Sequence, residues 1–428
     1  MNAGGQAEAH RAVERAARTA YGRLTAYLAA RARDLAAAED ALGDALLAAL
    51  RTWPHDGVPA NPEAWLLTAA RNALTDALRH RRVMAASEPA LLHLYGGAQA
   101  ASESTAFPDE RLKLLFVCTH PAIDPAARAP LMLQIVLGLD AAVIAPAFLV
   151  SPAAMSQRLV RAKVRIRDEG VRFDLPAPQE LPERLDAVLE AVYAAFGLGW
   201  DAVVRVPGAA RPAPMLAEEA LWIARDVQCL LPSEPEAVGL LALLLHCHAR
   251  RGARRTPAGD YVPLGEQETR LWDQPLIAEA ESLLARAALT GAGPRVGFRR
   301  PGRFQLEAAI QSVHAERART GRTEWAAIVT FYEQLVRLSP SVGARIAHAA
   351  ATAEASGPAA GLARLDAMDP KTVARYQPYW AVRGHLLGQL ERPQEAQTAY
   401  ELAIGLSKDS AVRDHLRSKS RALARHGW

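Results

Sequence analysis

The chain has 428 residues, half of them hydrophobic and 22% charged, which excludes a largely disordered protein and favours two or three domains. Its formal net charge of +4 is too small to indicate nucleic-acid binding by itself. No apolar run approaches the roughly 18 residues of a membrane span, the N-terminus lacks a secretory signal, and three distant cysteines suggest no disulfide framework. We therefore expect a cytoplasmic protein with no membrane association.

Almost every periodic segment predicts a helix, because apolar residues recur three and four positions apart and β-branched alternation is nearly absent. The first block, residues 9–82, contains three predicted helices, at about 11–32, 36–53 and 62–81. Asp34 is placed to cap the second helix, and the segment 54–57 (PHDG) is the expected stop after it. Asn61 followed by Pro62 is a start signal for the third helix.

Residues 83–107 are rich in Ala, Ser and Gly and are predicted to be a linker, with a short helix near residues 89–95 as an alternative. A second block, residues 108–174, predicts a helix over 131–137, a short helix over 141–148 and a longer one over 152–167. Gly138 makes the tight connection, and Asp140 and Ser151 are the expected caps. This is the spacing of a helix-turn-helix, whose last helix enters the major groove.

That last helix has two predicted faces. Residues 151–167 contain five basic residues and no acidic one. The apolar face should pack on the preceding helices and leaves the arginines for phosphates or guanine edges. The ordinary alternative for such a face is a solvated helix surface. The apolar residues are Met155, Leu159, Ala162 and Ile166, and the other face carries Ala154, Arg158, Arg161 and Arg165.

Residues 175–428 predict a long helical extension with a repeat signal near its end. Five residues stand at the offsets at which a tetratricopeptide repeat places its packing Trp, Gly, Ala, aromatic and Ala. A half repeat lies upstream. The alternative is generic packing of helical hairpins. The five residues are Trp380, Gly384, Ala396, Tyr400 and Ala403, and the half repeat comprises Ile328, Tyr332, Leu335 and Pro340.

Residues 23–82 and 109–176 resemble the bacterial extracytoplasmic function sigma factors, most of all the branch with a C-terminal tetratricopeptide-like extension. The stretch AWLLTAARNA at 64–73 carries much of the likeness, and VLEAVYAAFGLGW at 188–200 extends it. Two departures concern the helix before the recognition helix. Val143 stands where relatives usually have Glu, and Pro146 interrupts that helix at a cost of about 3 kcal/mol.

The resemblance implies an all-α transcription initiation factor that binds core RNA polymerase and promoter DNA. Residues 9–82 would bind the polymerase and the minus-ten element, and residues 108–174 the minus-thirty-five element. Residues 175–428 would regulate them, receiving a protein or small-molecule signal. The implied polymerase contacts are Asp40, Asp44, Leu47 and Arg51. The minus-ten candidates are Arg71, Asn72, Arg79, Arg81 and Arg82. The minus-thirty-five candidates are Ser151, Ala154, Gln157, Arg158, Arg161, Lys163 and Arg165.

Other residue groups favour plain packing over chemistry. His246, Cys247 and His248 are adjacent on a predicted helix, where side chains diverge by about 100° and cannot converge on one ion. The glycine-rich stretch 293–302 lacks the Lys-Ser/Thr ending of a phosphate-binding loop. We therefore expect no enzyme, no metal site and no cofactor. A competing hypothesis is a helical adaptor, derived from a sigma factor, that no longer reads DNA, and a hydrolase or metal enzyme would need a polar pocket that the sequence does not reveal.

Overall fold

The computed structural model describes residues 3–85, 110–148, 150–177, 179–201, 213–290 and 300–425. Within these ranges all longer regular elements are helices, and the β-pairing found there is one isolated bridge between Arg255 and Tyr261. The predicted all-α class is confirmed. The chain divides into two compact units, Met1–Ile223 and Ala224–Trp428, and the boundary falls inside a helix, α9.

The first unit contains nine described helices and a 3-10 turn at Ala145–Phe148. They are α1 (Ala3–Ala32), α2 (Leu35–Asp56), α3 (Pro62–Ala85), α4 (Arg111–Val117), α5 (Pro125–Leu137), α6 (Ala141–Ile144), α7 (Pro152–Asp168), α8 (Leu181–Asp201) and α9 (Ala213–Leu230), the last continuing into the second unit.

The first three helices form a bundle whose ends follow the sequence signals. Asp34 accepts a hydrogen bond from the Ala37 amide at 3.1 Å, and Asn61 accepts one from the Ala64 amide at 3.0 Å, so both predicted caps are present. The predicted stop segment 54–57 contains the end of α2, but the helix runs three residues beyond the predicted end at residue 53. α2 continues through Pro54 to Asp56 and ends at Gly57, whose φ of +86° suits glycine.

Helices α5, α6 and α7 form the predicted three-helix element. α5 begins earlier than predicted, at Pro125 behind its cap Asp124, and ends at Gly138, which has a left-handed φ of +66°. Ser151 caps α7 through a 3.3 Å bond from the Ala154 amide, as predicted. Asp140 occupies the cap position of α6, but its side chain makes no capping bond. Helix α8 then packs on α5.

The second unit is a series of helices that pack mostly on their neighbours in the chain. They are α10 (Pro235–Ala249), α11 (Gln274–Thr290), α12 (Arg303–Ala315), α13 (Arg317–Thr320), α14 (Trp325–Leu338), α15 (Val342–Ser356), α16 (Pro358–Asp366), α17 (Pro370–Val373), α18 (Gln377–Gln389), α19 (Pro393–Leu406) and α20 (Ser410–Arg425).

Helices α18 and α19 are the pair with the predicted repeat signal. Ala396 and Ala403 are fully buried, and a Cβ placed on Gly384 would lie 3.0 Å from the Tyr400 ring. The small residues thus allow the close helix approach that the sequence pattern requires. Whether these helices form tetratricopeptide repeats stays a prediction, as does the domain division at residues 82, 107 and 174.

Among the described residues, no single helix has both the length and the apolar character to cross a bilayer. One pair of consecutive segments, Ala141–Phe148 and Pro152–Asp168, satisfies the length and hydropathy criteria when the two are combined. The chain bends by 105° between them.

Candidate nucleic-acid interface

Helix α7 is divided into a buried face and an exposed face. Met155, Leu159, Ala162 and Ile166 are all at most 5% exposed, so the predicted apolar face is confirmed. Ser151, Ala154, Gln157, Arg161 and Arg165 are exposed, and Arg158 and Lys163 are half-buried. The packing therefore leaves a cationic surface on α7 open to solvent within the described part of the chain. Its role in binding DNA stays a prediction.

The basic side chains of α7 differ in how far they are already engaged. Arg158 donates to the Ala126 carbonyl at 3.1 Å, Arg165 lies 2.9 Å from Glu169, and Lys163 lies 2.7 Å from Glu39. Arg161 is exposed and has no ion-pair partner among the described residues. Because it carries no competing interaction, Arg161 is the α7 cation most available to a phosphate or a base edge.

Two valines on α7 belong to the exposed face, which the sequence analysis did not anticipate. Val160 is 58% exposed and Val164 is 40% exposed. With Gln157 and Arg161 they occupy the side of the helix opposite the buried face. The signal was present in the sequence, since Val160 and Val164 lie off the Met155–Ile166 stripe. Apolar side chains beside a cation can contact thymine methyl groups in a major groove.

The support helix α6 is short because of Pro146. The α-helix ends at Ile144, and Pro146 lies exposed in the following 3-10 turn, where its missing N–H removes no α-helical bond. Val143 points into the core, at 9% exposure. The 105° angle between this segment and α7 falls within the range of helix-turn-helix pairs. Whether Val143 and Pro146 alter DNA reading by α7 stays an open prediction.

The predicted minus-ten residues lie along α3. Asn72 and Arg79 are exposed, Arg71 is half-buried, and Arg79 lies 3.5 Å from Asp76. Arg81 and Arg82 lie in the last turn of α3, and their side chains fall outside the described ones.

Two apolar residues of the same motif pack inward, Leu66 in the core and Trp65 half-buried beside it. Leu66 is fully buried, and Trp65 packs edge-on against Trp53 with ring centroids 5.5 Å apart. Both residues therefore pack against side chains of the same three-helix bundle.

The predicted polymerase contacts form one continuous row on α2, which we call the α2 stripe: Asp40, Asp44, Leu47 and Arg51. All four side chains are exposed, and Leu47 is 52% exposed. The opposite side of α2 is buried, with Ala38, Leu42 and Ala49 at 1% exposure or less. A single exposed leucine among charged residues also occurs on ordinary helix surfaces, so the role of the stripe in binding stays a prediction.

The three-helix bundle α1–α3 packs directly against α5 and α7, a contact that the sequence analysis did not predict. A Cβ on Gly22 of α1 would lie 2.0 Å from the Val136 carbonyl oxygen of α5, so only glycine allows this approach. Glu39 of α2 and Lys163 of α7 form an ion pair at 2.7 Å, each side chain being 17% exposed. We call this the Glu39–Lys163 pair.

Neighbouring groups fix the Glu39 carboxylate in this contact. The Tyr21 hydroxyl donates to Glu39 at 3.4 Å. Burial raises the pKa of Tyr21, and the charge of Glu39 raises it further, so the hydroxyl stays protonated as a donor. Cys118 is fully buried nearby, and burial raises the pKa of its thiol, which keeps it neutral. The contact therefore contains an ion pair whose carboxylate also accepts a hydrogen bond from Tyr21.

The histidines considered as metal ligands lie on α10. His246 is 2% exposed, and its Nε2 lies 3.3 Å from Glu281. Burial and the nearby Arg250 nevertheless lower the pKa of His246 to about 4, so the imidazole is neutral at neutral pH. No group of three or more His, Cys, Asp or Glu residues with metal-binding geometry occurs in the described ranges.

Comparisons with known families match two separate parts of the chain. Residues 16–83 match sigma-70 region 2, and residues 184–288 match a family of unknown function (DUF6596). The chain is 36% identical over 397 residues to an uncharacterized protein of Rhizobium meliloti (strain 1021), an alignment that covers 92% of this chain and 91% of the relative. No solved structure matches the chain significantly.

Proposed function

Because the chain belongs to the same family as the uncharacterized rhizobial protein and carries a sigma-70 region 2 in residues 16–83, we propose that it is a transcription initiation factor. It binds core RNA polymerase through α2 and directs it to promoters. The α2 stripe carries this proposal, because the matched region is the one that contains it and all four of its side chains are exposed.

The finer assignments are proposals of the same kind. In the promoter complex, α3 contacts the minus-ten element through Asn72, Arg71 and Arg79. Helix α7 contacts the minus-thirty-five element, with Arg161 and Gln157 facing the bases. The exposed cationic face of α7 and its cap at Ser151 support this assignment. The helical extension acts as a fused regulator, and the protein has neither catalytic residues nor a cofactor.

Binding of the full chain to purified core RNA polymerase tests the proposal at the α2 stripe. Leu47→Glu introduces a charge at the centre of the stripe and should weaken binding by about 1–3 kcal/mol. Val58→Glu is the matched control, since Val58 is also an exposed apolar residue of the same bundle but lies outside the stripe. Equal affinity of both variants and the wild type would show that α2 is not the docking surface.

Measurements of DNA binding distinguish the proposed initiation factor from the adaptor hypothesis. A promoter-reading factor should lose DNA affinity steeply with added salt, because each neutralised phosphate releases counterions. A chain that binds core polymerase but gives the polymerase no promoter preference would be an adaptor.

A further inference from the structure

Arg250, which immediately follows α10 in the second unit, is a buried cation without an anionic partner. It is 8% exposed, and its Nη2 donates to the Gln311 amide oxygen and lies 3.8 Å from the Cys247 Sγ. Its Nη1 is shielded from solvent and has no hydrogen-bond partner in the described ranges, and no described carboxylate forms an ion pair with it. The C-terminal end of α10 carries about half a negative charge, which offsets only part of the guanidinium charge. A cation in such a position favours an anionic ligand.

A second guanidinium adds positive charge at the same place. The Arg317 guanidinium lies 5.1 Å from the centre of the Trp272 ring. The amide of Asp273, the next residue, donates to the Ala249 carbonyl at 2.9 Å, which places the tryptophan beside Arg250. Arg317 donates to three uncharged backbone carbonyls and has no carboxylate partner within the described part of the chain. Burial and the charge of Arg250 lower the pKa of Arg317.

Trp272 contributes a further donor to this place. The residue is 3% exposed, and its Nε1 is buried without a hydrogen-bond partner among the residues that the structure describes. Buried indole N–H groups normally have an acceptor. Since Trp272 contacts Arg317 on its ring and adjoins Arg250 through the chain, the three residues form one group. We call Arg250, Trp272 and Arg317 the α10 donor cluster.

The titratable groups around the α10 donor cluster leave its positive charge uncompensated. Burial and the two guanidinium charges lower the pKa of His314 to about 4, so this imidazole is neutral at neutral pH. Burial raises the pKa of the Cys247 thiol, which is therefore also neutral. The charge of Glu307 reaches Cys247 as well, but this carboxylate is paired with Arg303 at 2.9 Å.

We infer that the α10 donor cluster binds a phosphate group, either the free ion or the phosphate of a small monoester. Such a group carries a charge of about −1.5 to −2 and several acceptor oxygens. It therefore matches two guanidinium charges and the unpaired donors on Arg250 and Trp272. A carboxylate neutralises only one of the two charges. The inference goes beyond the proposed function, since it names a ligand class for the extension, and the binding itself does not require that the chain binds polymerase.

Isothermal titration calorimetry of the full-length chain tests the site. Sodium phosphate is titrated at about pH 7.5, where phosphate has lost most of its second proton, and sodium chloride of equal ionic strength is the reference. The chain should bind one phosphate with a dissociation constant of about 1 mM or tighter. Glycerol 3-phosphate, tested in parallel, distinguishes a site for a monoester from a site for the free ion. Acetate that binds as tightly as phosphate would overturn the assignment to phosphate.

Two substitutions locate the binding. Arg250→Gln removes the buried charge and should weaken phosphate binding about tenfold or more. Trp272→Phe keeps the ring beside Arg317 but lacks the Nε1 donor, and it should weaken binding several-fold. Arg225→Gln is the matched control, because Arg225 lies in the same unit and already pairs with Glu279. This control should bind phosphate as the wild type does.

The measurements also keep the site separate from the proposed function. Circular dichroism establishes that each variant is folded, and if Arg250→Gln does not fold, Trp272→Phe decides. A folded wild-type chain without saturable phosphate binding overturns the site, and so does binding that both substitutions leave unchanged. Run-off transcription is measured separately, so a chain that binds phosphate but directs no transcript overturns the proposed function and leaves the site standing.

Discussion

Arg161 differs from the other basic side chains of α7 in the interactions that it already makes. Five basic residues lie on α7, and the fold engages several of them: Arg158 with a backbone carbonyl, Lys163 with Glu39, and Arg165 with Glu169. A side chain that already has a partner must give it up to bind DNA, and part of the new interaction energy is lost. Arg161 has no ion pair to give up among the described residues, so we expect it to contribute most.

Replacement of Arg161 by Ala should weaken binding to promoter DNA by about 1–3 kcal/mol if it contacts a guanine. If it contacts a phosphate, the slope of log affinity against log salt should fall by about 0.9. Fluorescence anisotropy across a salt series measures both quantities. Arg172→Ala is the control, because Arg172 is exposed just beyond α7 and pairs with Asp174. Equal losses for both variants would mean that general charge, and not the α7 face, governs binding.

His246 predicts how acid affects stability. Its folded pKa of about 4 lies below the ordinary value of 6.5, so the unfolded chain binds the proton first as pH falls. The stability from the neutral buried imidazole is complete above pH 6.5 and is lost progressively between pH 6.5 and 4. Between pH 7 and pH 5 the free energy of unfolding should fall by about 2 kcal/mol from this residue.

Urea unfolding at a series of pH values tests this expectation. His246→Gln should flatten the pH dependence in that window, whereas His55→Gln, at an exposed histidine in the last turn of α2, should not. A profile that His246→Gln leaves unchanged would contradict a buried neutral imidazole.

At the scale of helices, Gly22 and Gly43 make a matched pair. Both are glycines inside helices, where glycine is less favourable than alanine by about 1 kcal/mol. A Cβ on Gly43 meets nothing within 4 Å, while a Cβ on Gly22 collides with the Val136 carbonyl. Gly43→Ala should therefore stabilise the protein by about 0.5–1 kcal/mol, and Gly22→Ala should destabilise it by about 1–3 kcal/mol. Thermal unfolding of both variants is the measurement, and stabilisation by both would show that α1 and α5 do not approach this closely.

The helices themselves were largely predictable from the sequence, because their signals are local. Asp34, Asn61 and Ser151 cap helices where the pattern placed them, and the buried face of α7 follows its four-three-four spacing. The predicted end of α2 before Pro54 was three residues too early, because the helix continues through Pro54 to Asp56 and ends at Gly57. The packing of α1 on α5 and the Glu39–Lys163 pair could not be predicted, because they join residues far apart in sequence and leave no periodic trace.

The candidate site was predictable to a different extent. Helical periodicity alone places the α2 stripe on one side of its helix, and Leu47 is exposed there. The same periodicity places Val160 and Val164 opposite the buried face of α7, but the sequence analysis considered only the arginines of that face. Which basic side chains of α7 are already engaged depends on distant partners, the Ala126 carbonyl for Arg158 and Glu39 for Lys163, which helical periodicity does not reveal.

At the scale of the molecule, the first unit includes the start of the helical extension. Met132, Leu133 and Val136 of α5 line one small apolar cavity together with Val192 of α8 and Ile223 of α9. Arg111 of α4 is 9% exposed, pairs with Glu219 and stacks over Trp222 at 3.9 Å. Helices α8 and α9 therefore complete the hydrophobic core around α4 and α5.

Truncation should reveal this dependence. A chain that ends at residue 178 uncovers the apolar side of α5, and we expect it to unfold at lower temperature and to aggregate. A chain that ends at residue 230 keeps α8 and α9 and should give a monomeric, cooperatively unfolding protein. Thermal unfolding and size-exclusion chromatography compare the two. Equal stability would show that α8 and α9 contribute no core to the first unit.

The central claim, that this chain directs RNA polymerase to promoters, is tested most directly by run-off transcription with purified core polymerase and the full-length protein on candidate promoters. The account predicts discrete transcripts that require the protein, that start at a fixed position, and that are lost with Leu47→Glu and reduced with Arg161→Ala. Core polymerase that transcribes identically with and without the protein, although the two bind each other, would contradict it.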